Sequence, residues 1–68
     1  DEVPAVGDEL MGAVRALPIR QRTAVILRYW LDLPEREIAS IMRCPPGTVK
    51  STLSRALSTL RQEVPADV

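Results

Sequence analysis

Apolar residues recur along this chain at three- and four-residue intervals and no segment alternates apolar with polar, a pattern that predicts helices and no strand. Val6, Leu10, Ala13, Val14 and Leu17 share one side of a helix over residues 5–16, with Asp8 and Glu9 in its early turns, where the helix dipole favours acids. Pro18 ends that run, because it lacks an amide proton and its ring meets the preceding turn. A second helix is predicted over 19–31, with Ile19, Thr23, Ile26 and Trp30 on one face. Val25, Leu27, Tyr29 and Leu31 widen its stripe, and a helix apolar on most sides belongs at the centre of a bundle. Pro34 stands just before or at the first position of a short third helix, 35–42, whose Glu35 and Glu37 again suit the dipole. Its Ile38, Ile41 and Met42 are expected to point inward, with Glu35, Arg36 and Ser40 in water. Cys44-Pro45-Pro46 forces a sharp break, and Pro46 suits the first position of a fourth helix that runs to about residue 63, before Pro65. The ends, 1–4 and 65–68, are expected to fray. The expected fold is all-α: one small four-helix domain over 1–68.

The third and fourth helices, with the tight turn at Arg43-Cys44-Pro45, read as a helix-turn-helix over residues 35–62. At one hundred degrees per residue, Val49, Leu53, Ala56, Leu57 and Leu60 gather on one side of the fourth helix. The other side holds Gly47, Ser51, Ser54, Arg55 and Ser58, flanked by Thr48 and Lys50. That outer face is small, polar and basic, and it contains no acid. An ordinary solvated helix mixes in Glu to pair with Lys or Arg. A face that approaches phosphates excludes carboxylates, and small serines let the backbone come close to base edges. Ala39 is expected where the two helices cross, a small side chain permitting close approach, and Val49 packs back from the fourth helix. Arg43 occupies the turn position where this motif commonly has glycine. If the left-handed conformation is kept there, a non-glycine residue costs about 1 kcal/mol. The plainer alternative is a pair of core helices with no binding role.

Charge sharpens this picture. The chain of 68 residues carries no net charge, yet its first nine residues hold Asp1, Glu2, Asp8 and Glu9 and no base. Between residues 38 and 62 the only charges are Arg43, Lys50, Arg55 and Arg61, all positive. The neutral average hides a local basic footprint, although four spread charges alone also fit a solvated helix face. The absence of histidine and the single thiol, Cys44, argue against a protein-built zinc site and an internal disulfide, and no cofactor is expected. A nucleophile–base pair would have to be Ser-Lys, but Lys50 and Ser51 are neighbours on a helix and diverge, so no catalysis is expected. The three glycines, Gly7, Gly12 and Gly47, form no phosphate loop. Cys44 reads as a small apolar filler in preference to a redox sensor. The longest apolar run, 24–27, is too short to enter a bilayer, so no membrane insertion is expected.

Several segments then combine. Leu17-Pro18 followed by Arg20 and Arg22, Glu37-Ile38-Ala39, and Gly47-Thr48-Val49-Lys50-Ser51 with Ser54-Arg55 and Leu60-Arg61 resemble region 4 of bacterial RNA polymerase sigma factors. The likeness is greatest to the extracytoplasmic-function group and covers residues 16–61. It implies a four-helix domain that reads the −35 element of double-stranded promoter DNA in transcription initiation. By position, Lys50, Ser51, Ser54 and Arg55 match base- and phosphate-contacting residues, Thr48 a phosphate contact at the helix start, and Arg28 a contact to the DNA backbone. The resemblance further implies the polymerase core, through its β flap, and an anti-sigma protein as partners, in the bacterial cytoplasm. Tyr29, Trp30, Leu31 and Leu33 are candidates for such a docking surface, with core packing favoured for Trp30. Arg43 departs from the family's usual glycine, Pro34 from its usual serine or tyrosine, and Ser54 from an often larger residue. The chain starts at Asp1, not methionine, so it is expected to be part of a longer sigma factor. Two alternatives stand beside this reading. A response-regulator output domain shares the Glu-Ile-Ala and Thr-Val-Lys elements but usually opens with Leu-Thr-x-Arg-Glu, where this chain has Leu17-Pro18-Ile19-Arg20-Gln21. A pure docking module for polymerase or an anti-sigma protein is the other.

Overall fold

The computed structural model describes residues 6–63, with side chains from residue 9 onward; the expected fraying at 1–4 and 65–68 and the inward placing of Val6 lie outside the described residues. The helices are α1 (Val6–Ala16), α2 (Ile19–Val25, continued by a π-helical segment, Ile26–Trp30), α3 (Glu35–Met42) and α4 (Pro46–Glu63). Among the described residues there is no strand. The all-α expectation holds.

Prolines open three of the four helices. Pro18 and Pro34 stand at the N-caps of α2 and α3 with extended ψ angles of 150° and 157°, and Pro46 is the first residue of α4. The pyrrolidine ring pre-sets φ for helix entry and removes an N–H that the first turn would leave without an acceptor. The carbonyls of Pro18, Pro34 and Pro45 then accept the first helical bonds, from Arg22, Ile38 and Val49 at 2.9, 3.1 and 3.2 Å.

The exits are equally defined. Arg43 has φ 58° and ψ 51°, so the left-handed conformation is kept without glycine. Its N–H donates to the Ser40 carbonyl at 3.3 Å, and the Cys44 N–H donates to the Ala39 carbonyl at 3.0 Å. This pair of bonds is a Schellman closure, which satisfies carbonyls that a helix end otherwise leaves open. Cys44 is half-buried against the core, in keeping with a filler. Two arginines of α2 serve other helix ends: the Arg22 guanidinium donates to the Arg15 carbonyl of α1 at 3.0 Å, and Arg20 to the Met42 carbonyl of α3 at 3.3 Å. Cations at a helix C-terminus also meet the negative end of its dipole.

α4 packs against both α2 and α3, and α1 closes over α2 and α4. The core joins Val14 and Leu17, Ala24 and Val25, Ile38, Ala39 and Met42, and Val49, Leu53, Ala56 and Leu60. Four expectations fail here. The buried stripe of α2 is not Ile19, Thr23, Ile26 and Trp30 but Ala24 and Val25; Ile19 is 61% exposed. Close packing against α4 favours the smaller side chains, so the bulky ones turn away. The second helix is also not a uniform α-helix to residue 31. From Ile26 it widens to π geometry, with the Leu31 N–H donating five residues back to Ile26 at 3.1 Å, and it closes on Asp32 at φ 58°. Trp30, for which core packing was favoured, is 49% exposed, like Ile19 and Ile26 on the same face. Finally, Ile41 of α3 is 56% exposed while Ile38 is fully buried.

Candidate nucleic-acid interface

The side chains of α4 divide as its periodicity predicts. Val49, Leu53, Ala56 and Leu60 are buried, and Gly47, Thr48, Lys50, Ser51, Ser54, Arg55 and Ser58 are all exposed. The candidate residues of α4 are therefore brought together on one open face. Thr52 is buried too, a position that sequence reasoning missed; its spacing of three from Val49 was the available signal. Ala39 and Val49 both lie in the core, as a supporting pair for this helix requires.

At the start of α4 most backbone donors are absent or already used, so its outward side chains supply the polar groups there. Pro45 and Pro46 have no N–H, and the Thr48 and Val49 amides both bond to the Pro45 carbonyl, at 2.9 and 3.2 Å. The Ser51 hydroxyl donates to the Thr48 carbonyl at 3.1 Å, which leaves its lone pairs facing solvent as acceptors. From Ile38 to Gln62 the face carries only positive charge, because the acids of α3 and α4 stand at Glu35, Glu37 and Glu63.

Arg28 is placed differently. It lies on the π segment, pairs with Asp32 at 3.6 Å and covers the Tyr29 ring at 5.6 Å from its centroid. An ion pair this open to water is worth about 0–1 kcal/mol, so a phosphate could displace Asp32 at small cost.

A second feature lies beside the face. Leu10 and Val14 of α1, Val25, Tyr29 and Trp30, and Leu57 and Leu60 of α4 line an open apolar groove of about 330 Å³. Of the four residues expected at a docking surface, Tyr29, Trp30 and Leu31 are exposed, whereas Leu33 turns onto the core. The contributions of Leu10 and Leu57 were not legible, since both read as ordinary core positions.

A helix with a basic, acid-free outer face behind a tight turn is common to many DNA-binding proteins, and the wider sequence decides among them. Residues 7–60 match the family described as sigma-70, region 4. The chain belongs to the sigma-70 region 4 family. It is 46% identical over 55 residues to an RNA polymerase sigma-E factor of Streptomyces antibioticus, covering 81% of this chain and 31% of that protein. It is 43% identical over 53 residues to the RNA polymerase sigma factor SigV of Bacillus subtilis, covering 78% and 32%. An ECF RNA polymerase sigma-E factor of Salmonella typhimurium is 41% identical over 51 residues, covering 75% and 27%. The chain thus spans about a third of the length of these relatives. In this region 4 domain no described helix is long and apolar enough to cross a membrane.

Proposed function

We propose that this chain is the −35-reading domain of a longer bacterial sigma factor, binding double-stranded promoter DNA in transcription initiation. The observation that carries the reading is the acid-free outer face of α4, set against an opposite face that is buried. Family membership and the names of the relatives point the same way. Lys50 and Arg55 supply cations for phosphate oxygens or guanine edges, Ser51 and Ser54 offer short polar contacts to bases, and Thr48 meets a phosphate at the helix start. Arg28 reaches the backbone from the π segment. The domain works in the cytoplasm with the polymerase core.

The apolar groove favours a second role on another surface. Its aromatic rim, Tyr29 and Trp30, is suited to an apolar segment such as the β flap of the polymerase or an anti-sigma protein. DNA reading and protein docking then occupy different sides of α4.

Titration of a fluorescein-labelled −35 duplex at two salt concentrations tests the DNA role. A small module contacts few phosphates, so binding should be weak and should fall with log salt at a slope of about 0.9 per phosphate contacted. Binding that ignores salt, or no binding to any duplex by the intact parent protein, would sink the proposal.

A further inference from the structure

Two residues beside the reading helix stand where the backbone does not favour them. Arg43 holds a left-handed conformation that glycine adopts without strain. Gly47 is the converse case. It lies in the first turn of α4, has no positive φ, and a Cβ built on it would meet nothing within 4 Å. The domain itself therefore gains nothing from the missing side chain, while alanine would order the helix better. Stability alone would put glycine at 43 and a side chain at 47. The sequence has the reverse at both positions.

Both residues are exposed, and only Cys44, Pro45 and Pro46 separate them. The one ion pair among the described residues joins Arg28 to Asp32, so no described acid engages Arg43. The four steps from Arg43 to Gly47 span at most about 14 Å, which keeps Arg43 near the start of α4 where Thr48, Lys50 and Ser51 face out. From these observations we infer that the α3–α4 turn is itself a DNA-contact edge. Arg43 reaches a phosphate from its left-handed position, and Gly47 marks the place where the duplex backbone comes too near α4 for a Cβ. A backbone conformation or a residue choice that weakens the fold persists where it serves a contact outside the fold. The inference rests on the DNA reading above and adds two residues to it.

The test uses the full chain and four variants: Arg43→Gly, Arg43→Asn, Gly47→Ala, and Lys50→Ala with Arg55→Ala. Thermal unfolding is followed by circular dichroism. Binding is followed by anisotropy of a labelled mixed-sequence duplex at two salt concentrations, because phosphate contact and steric approach are indifferent to base identity. Arg43→Gly should raise Tm by about 4 °C and lower the salt slope by about one. Arg43→Asn, which tolerates the left-handed region but is uncharged, should lose the same slope. Gly47→Ala should raise Tm by roughly 2–4 °C and weaken binding about tenfold. If the Arg43 and Gly47 variants bind with wild-type affinity and slope while Lys50→Ala with Arg55→Ala loses both, the turn is no contact edge and the inference fails alone. If that last variant also binds as wild type, the DNA reading falls and takes the inference with it.

Discussion

Replacing Ile38 by alanine should remove about half of the domain's stability. Ile38 is fully buried, at the point where α3 meets the rest of the core. Truncating a buried isoleucine to alanine costs about 2–5 kcal/mol, from lost transfer energy and from the cavity left behind. A domain of this length commands only about 3–10 kcal/mol in total. The loss should appear as a fall in helical circular dichroism and a lowered urea midpoint. Ile41→Ala provides the contrast. That side chain is mostly exposed, and its removal should change stability by about 0.5 kcal/mol or less. Equal effects at the two positions would mean that α3 presents a different face to the core.

Removing both Lys50 and Arg55 side chains should abolish most DNA affinity without touching the fold. The two residues lie on the exposed face of α4, so Lys50→Ala with Arg55→Ala should leave the urea midpoint near that of the wild type. A contact to phosphate contributes about one to the salt slope, and a guanidinium on a base edge about 1–3 kcal/mol. The double variant should therefore bind a −35 duplex at least about tenfold more weakly near 0.1 M salt, with the slope reduced by up to about two. Lost affinity accompanied by lost helical signal would instead report damage to the fold.

The two helices of the helix-turn-helix differ in how much of them the sequence made legible. α4 is long and regular, so a one-hundred-degree period sorts its eighteen residues into a buried and an open face almost without error. α3 is too short for that. Around its axis Ile38, Met42 and Ala39 stand at about 0°, 40° and 100°, and Ile41 at about −60°, just outside the buried arc. Size invited the wrong choice there, and again in α2, where Ala24 and Val25 pack inward in place of Ile19 and Trp30. The π segment carries no sequence signature that periodicity could detect. The left-handed Arg43 was legible as a question, posed by the missing glycine, and the backbone answered it. The exposed face proposed to meet DNA was legible because its signal is chemical, an absence of acids over one face. The groove was not, because it depends on how three helices leave space between them.

The widened turn at Ile26–Trp30 bears on how such domains diversify. A π segment holds one residue more than an α-helix needs over the same rise. Deleting a single residue there would restore ordinary spacing and change the direction in which Tyr29 and Trp30 leave the helix. Everything from Glu35 onward, including the basic face of α4, would keep its own register. One lost codon could thus alter the aromatic surface proposed for a protein partner while leaving the face proposed to read DNA intact.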